Sequence, residues 1–320
     1  MHGSLPYRRQ ALWLMHLSMV IVLCGGIITH FHGQQGDIRL RTGETTHEFL
    51  SHGQWGTVIP ETLPFHITLA DFRIEQDDVG HTNYISTVIV RGLSGTDTVC
   101  IAMNRPLIVC GYRMIQTSYD EDLHGTHLSV INDPIGTGTA LLGYGLFLMA
   151  AAWLLAGKAA TALRRDRPHS LGTTERLAAL SVTVLSLLPL VPLFTAPLRP
   201  ILRTPLLYIH VGTIMAAYIL LVLSIWRRNF LATATLLLAT GIVLGSVWGS
   251  ISWGSYWSWD PKETWALVTL LLYSLPLHTH HVPMLRRPSV YRIYSTLCLL
   301  SLLITYLGVN FFMQSRHSYL

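Results

Sequence analysis

A chain of 320 residues, half of them hydrophobic and only 12% charged, is much poorer in charge than a soluble domain, where about a quarter of residues are charged. A water-soluble enzyme is thereby excluded, and the net charge of +5 collects in short loops between apolar runs, which points to membrane orientation rather than nucleic acid. The four cysteines, Cys24, Cys100, Cys110 and Cys298, form neither CxxC nor CxxCH, which excludes a thioredoxin-like reductant and a c-type cytochrome.

The first apolar window, Ala11–Ile28, follows Arg8 and Arg9. His16 within it, and the lack of an A-x-A site after Cys24-Gly25-Gly26, predict an uncleaved anchor rather than a signal peptide. Residues 31–137 form the one sizeable water-exposed segment. Its stretches LPFHITLADFRIEQ (Leu63–Gln76) and NYISTVIVRG (Asn83–Gly92) alternate apolar and polar residues and predict strands. Cys100 and Cys110 fall here, where a disulfide is permitted and two free thiols fit equally well.

Six further windows follow: Thr139–Ala156, Leu177–Phe194, Leu206–Trp226, Phe230–Trp248, Thr264–His280 and Tyr291–Phe312. The third and sixth of the seven are interrupted by proline. Alternating spans put Arg8/Arg9, the set Lys158, Arg164, Arg165 and Arg167, then Arg227/Arg228, then Arg286/Arg287 on one side, which the positive-inside rule makes cytoplasmic. The expected fold is a mainly α membrane protein of about seven transmembrane helices, with a small outer β domain inserted after the first. Residues 1–30 are the anchor, 31–137 the β domain and 138–320 the helical membrane domain. The N-terminus is then cytoplasmic, and the C-terminus lies outside.

Between the fifth and sixth windows stands WGSISWGSYWSWDPKETW, with Trp248, Trp253, Trp257, Trp259 and Trp265. Asp260-Pro261-Lys262-Glu263 predicts a helix start, with Asp as N-cap, Pro first and Glu third. The tryptophans fit an interfacial aromatic belt. They fit equally a shelf for a flat, hydrophobic, anionic ligand at a helix N-terminus.

The same topology places four histidines. His210, at the start of an inward-running span, and His317, after the last span, share the outer face with the tryptophans. His16 and His278 fall in the inner half of the bilayer, where imidazoles are costly and mark function. His30, His32, His47, His52, His66, His81, His124 and His127 read as surface residues of the outer segment.

The segment WGSYWSWDPKETW resembles the tryptophan-rich WWD signature of haem-handling proteins of cytochrome c biogenesis. LLYIHVGTIMAAYILL, ETWALVTLLLYSLPLHTH and YLGVNFFMQSRHSYL narrow the resemblance to the CcsA family (System II). LPFHITLADFRIEQ and MNRPLIVCGYRMIQTSYDEDLHGTHLSVINDPIG (Met103–Gly136) resemble its partner ResB, so the whole is similar to a ResB–CcsA fusion with a reduced ResB part.

The resemblance implies delivery of haem b as substrate and its covalent attachment to a CxxCH apocytochrome c on the outer side of a bacterial inner membrane, a holocytochrome c synthase. The alternative is a haem transporter that passes haem on without forming a thioether. His210 and His317 would be outer axial ligands to the haem iron. Trp248, Trp253, Trp257, Trp259, Asp260 and Trp265 would form the shelf, and His16 and His278 an intramembrane haem pair. Apocytochrome c, the bilayer and a thiol-reducing protein are the implied partners, and no residue suggests a general acid or base.

Overall fold

The computed structural model describes residues 6–52, 57–76, 82–92, 95–102, 105–163 and 204–313. Helix α1 (Pro6–His32) leads into eight strands: β1 (Gln34–Arg41), β2 (Thr45–His52), β3 (Val58–Gln76), β4 (Thr82–Gly92), β5 (Gly95–Ala102), β6 (Leu107–Val109), β7 (Tyr112–Tyr119) and β8 (Gly125–Asn132). The helices α2 (Pro134–Leu163), α3 (Pro205–Ser224), α4 (Leu231–Trp253), α5 (Pro261–Ser274), α6 (Pro288–Leu303) and α7 (Val309–Phe312) follow. A π turn, Ile304–Gly308, joins the last two.

Alternation builds the sheet. In β1, Gly36, Ile38 and Leu40 are buried while Asp37, Arg39 and Arg41 are exposed, as a period of two requires when one face is dry. The stretches expected as strands are present as the antiparallel pair β3 and β4. Strand order is β5-β4-β3-β2-β1-β8-β7-β6, and β5 curls round to lie beside β6 and β7. The result is barrel-like, and all eight strands contribute to one core that includes Leu40, Phe49, Ile67, Val88, Ile101, Leu107, Met114 and Leu128. Cys100 and Cys110 are free thiols.

The first and last strands are neighbours, paired from Gln34 with Asn132 to Arg41 with Gly125. This places the helices that precede and follow the sheet side by side. Their contact is made by glycines: a Cβ on Gly25 would lie 2.8 Å from the Ala140 nitrogen, and one on Gly143 would lie 2.6 Å from Val22 Cγ2. Backbones in an apolar medium approach this closely only where side chains are minimal. Asp133 closes the junction. It accepts from Thr29 Oγ1 at 2.6 Å and from the Gly136 N–H at 3.0 Å.

Among the described residues, five helices are long and apolar enough to cross a membrane: Arg9–His32, Pro134–Ala156, Pro205–Ser224, Arg228–Ser252 and Pro288–Phe312. They match five of the seven expected windows. The window Leu177–Phe194 lies outside the described residues. The window Thr264–His280 holds α5 and a 3₁₀ turn, Leu275–Leu277. Pro276 ends the α-helix because it cannot donate to the preceding turn, so α5 is shorter than a regular crossing of about 20 residues.

Candidate functional site: two ends of a helical bundle

The tryptophan segment starts at the C-terminal end of α4. Gly254 ends that helix in the left-handed conformation, with φ of 77° and its N–H on the Ser250 carbonyl at 3.1 Å, as a C-cap glycine does. Asp260 starts α5. Its side chain accepts from the Lys262 N–H at 2.9 Å, and Glu263 Oε2 accepts from the Asp260 N–H at 3.3 Å and the Ser258 N–H at 2.8 Å. This is the expected capping box, complete. Asp260 is 7% exposed, and this cap bond lies inside the loop.

The tryptophans do not act alike. Trp248 is 1% exposed, packs on Leu207, and donates its ring N–H to Thr204 Oγ1 at 2.9 Å. Thr204 also caps α3. Trp248 therefore underlies the surface rather than forming it. Trp253 is the last residue of α4. Trp257 and Trp265 are half-buried, and Trp259, 71% exposed, stands edge-on to Trp257 with ring centres 5.9 Å apart. Trp259 has φ of 56°. A bulky residue there is strained, and the capping box on either side holds it.

His210 sits just below. Its Nδ1 donates to the Gly241 carbonyl at 2.7 Å, which puts the lone pair of the neutral ring on Nε2. The ring lies against Gly245, where a Cβ would come within 2.6 Å of its Cε1. Gly241 makes room for Ile214 in the same way, at 2.5 Å from Cδ1. Gly241 and Gly245 form a GxxxG in an apolar run. That signal is visible in sequence, but its role as the seat of a histidine is not.

Other elements reach this end. Lys262 Nζ donates to Asn310 Oδ1 at 2.9 Å, just beyond the π turn, a device that re-aims side chains and is frequent at functional sites. Burial brings the Lys262 ammonium down to about 8, against the opposing pull of Asp260. From the sheet, Arg113 donates to the Ser250 carbonyl and Oγ, both at 2.9 Å. The β domain, the C-terminus of α4, the start of α5 and the end of the last helix thus meet at one end of the bundle. His317 lies outside the described residues; α7, which precedes it, ends here.

At the opposite end, Arg228 donates to the Pro276 and Leu285 carbonyls, each at 2.7 Å, and lies over the Tyr291 ring at 4.6 Å. His278 follows Pro276 directly beyond Leu277. Its ring centre is 6.3 Å from that of His16 on α1, with the planes at 89°. Each is exposed and each donates Nδ1–H to a carbonyl four residues earlier: His16 to Leu12 at 2.7 Å, His278 to Ser274 at 3.0 Å. A carbonyl only accepts, so in the neutral rings each Nε2 carries the lone pair, the state in which imidazole binds metal. His280 and His281 neighbour each other, ring centres 5.4 Å apart.

Of the remaining histidines within the described residues, His127 joins Asp120 at 3.0 Å. Arg39 at 2.9 Å and Arg41 at 3.3 Å converge on the same carboxylate. Hydrogen bonds from Arg39 first, then His127, hold the Asp120 carboxyl below its usual range. This cluster ties the β7–β8 turn to β1 and is structural.

Comparison with known proteins divides the chain in the same way. Residues 6–149 match the ResB-like family, and residues 222–317 match the family described as cytochrome C assembly protein. Protein NrfI of Wolinella succinogenes is 48% identical over 87 residues, 26% of this chain and 9% of that protein. The cytochrome c biogenesis proteins CcsA of Gloeobacter violaceus and Marchantia polymorpha are 46% and 40% identical over 85 and 96 residues. These are 26% and 29% of this chain, and 24% and 29% of those proteins. The matched part therefore spans less than a third of each relative. The chain thus joins a segment similar to the ResB-like family to a segment similar to CcsA-type cytochrome c assembly proteins.

Proposed function

We propose that this chain takes up haem at the His16/His278 end of the bundle and presents it at the tryptophan loop for covalent attachment to a CxxCH apocytochrome c. The observation that carries the reading is the His16–His278 pair. Residues 262 positions apart in sequence are brought to 6.3 Å, with both Nδ1 atoms tied back and both Nε2 lone pairs available. A metal–imidazole bond of about 2 Å on either side of one iron is compatible with that separation once the ring radii are added.

At the other end, His210 supplies a lone pair beneath half-buried and exposed tryptophans, and His317 is proposed as its partner across the iron. Trp257, Trp259 and Trp265 offer apolar faces, and Lys262 a cation for a haem carboxylate. Two imidazoles fill both axial positions and limit attack by oxygen, which suits a carrier. The names of the CcsA relatives, cytochrome c biogenesis proteins, agree with this direction.

The chemistry adds each thiol across a vinyl C=C. Sulfur bonds to the ring-side carbon, and the proton ends on the terminal carbon. No electrons change hands, so both cysteines must arrive as thiols, and a thiol-reducing partner is part of the proposal. The protein's contribution is orientation and exclusion of competing ligands. In the proposed topology the window Leu177–Phe194 is the third of seven spans and the window Thr264–His280 the sixth. The tryptophan end then faces outward, and the His16/His278 end lies toward the cytoplasm of a bacterial inner membrane.

Co-expression with a CxxCH apocytochrome in cells lacking their own maturation pathway tests the proposal. The expected result is a haem-stained apocytochrome band in a denaturing gel, lost with His210→Gly and partly restored by added imidazole. Haem retained on this chain without a stained band would support a transporter instead. A purified chain with no Soret absorption would overturn both.

A further inference from the structure

The outward face of β7 and β8 breaks the rule that built the sheet. Alternation sends Met114 and Val130 into the core and Arg113, Ile115 and Ile131 outward; Arg113 is directly paired with Ile131. An outward face is normally polar, yet here it presents two isoleucines, both half-buried. What covers them is Gly254. A Cβ there would lie 2.3 Å from Ile115 Cδ1 and 2.6 Å from Ile131 Cδ1. Gly254 is thus required twice, for its left-handed turn and for this close approach.

Beside that contact, the Arg113 guanidinium donates to the Ser250 carbonyl and hydroxyl at 2.9 Å each. Ser250 is 3% exposed, and its carbonyl is among the last of α4, where the helix carries partial negative charge. A charged hydrogen bond shielded from water is among the stronger kinds. Residues 255–260, carrying Trp257, Trp259 and Asp260, leave the helix directly after this clamp.

We propose that Arg113 is a positioning residue for haem attachment: from the ResB-like domain it fixes the end of α4 and, through Gly254, the presentation of the tryptophan loop. The inference rests on the function proposed above. It gives the β domain a role inside the site, in addition to any docking of the apocytochrome.

The test uses the full chain in membranes, with Arg113→Ala, Arg113→Lys, Ser250→Ala and, as a control elsewhere on the sheet, Arg39→Ala. Thioether yield, the midpoint potential of bound haem and the tryptophan emission maximum of haem-free protein are read for each at matched amounts of inserted protein. Arg113→Ala is expected to lower the yield roughly tenfold, the scale of losing a charged hydrogen bond, to shift the potential, and to move the emission to longer wavelength. Arg113→Lys, which can still donate to the carbonyl, should recover part of each; Arg39→Ala should change none.

Should Arg113→Ala fail to accumulate, Arg113→Lys and Ser250→Ala decide, each expected to give an intermediate shift. Parental yield, potential and emission in the Arg113 variants would overturn the proposal. If the parent chain itself bound no haem, the proposed function would fall. The clamp would then be judged by emission alone, supported by a shift in Arg113→Ala and overturned by none.

Discussion

The two ends of the bundle hold their histidines by different means. His210 is gripped by another helix: its Nδ1 bonds to Gly241 and its ring rests on Gly245, both on α4. Among the described residues, His16 and His278 each hydrogen-bond to a carbonyl one turn earlier on their own segment. A ligand fixed by tertiary contacts presents one geometry, whereas one fixed locally moves with its helix. Under the function proposed above, the tryptophan end, with its capping box, Arg113 clamp and Lys262–Asn310 bond, suits precise presentation. Under the same proposal the opposite end, where both imidazoles are exposed, suits uptake and release.

The sharpest way to break this comparison is to ask whether the ends face different compartments. In a chain with its native cysteines replaced, Ser258→Cys should react with an impermeant maleimide in intact cells, and Thr279→Cys only after permeabilisation. Labelling of Ser258→Cys only after lysis would remove the basis for two distinct ends.

Next in size is the seat of His210. Gly245→Ala adds a methyl 2.6 Å from the ring and should displace the imidazole, with a loss of haem occupancy on the order of tenfold, the scale seen when support for a metal ligand is lost. Gly212→Ala, which meets nothing within 4 Å, should leave the haem spectrum unchanged. Equal effects would mean that the glycine seam serves helix packing alone.

A smaller effect separates capping from direct contact with haem at Asp260. If the carboxylate chiefly caps α5, Asp260→Ala should lower thermal stability by about 1 kcal/mol, and Asp260→Asn should be mild, since Asn caps nearly as well. Equal loss of thioether yield in both would instead assign Asp260 to the ligand.

The smallest concerns Lys262, whose ammonium is brought down to about 8 by burial. The unfolded side chain holds its proton to about pH 10. Between these values the unfolded state binds more protons, so stability should rise with pH across that window. Lys262→Met should flatten the rise, as a thermal-melt series on haem-free protein from pH 7 to pH 10 would show. An unchanged slope would remove Lys262 as its source.

What the sequence by itself determined are the features carried by short-range patterns. Period-two alternation marked 63–76 and 83–92 as strands, apolar length marked seven windows of which five are membrane-length helices among the described residues, and Asp260-Pro261-x-Glu263 set the start of α5, because each encodes interactions between residues a few positions apart. The same logic failed where long-range partners intervene. Trp248 belongs by spacing with the other tryptophans of its segment, but Thr204, 44 positions earlier, draws it into the core. Ile115 and Ile131 break the alternation without revealing that Gly254 covers them. Only the tertiary structure decided that β1 pairs with β8, which sets α1 beside α2. Likewise it brought His16 to His278, seated His210 on Gly245, and let Arg113 reach the end of α4. The contacts of α1 with α2, of His210 with α4 and of the sheet with α4 depend on glycines that let two backbones approach, and that is a property of packed surfaces in three dimensions rather than of any local pattern.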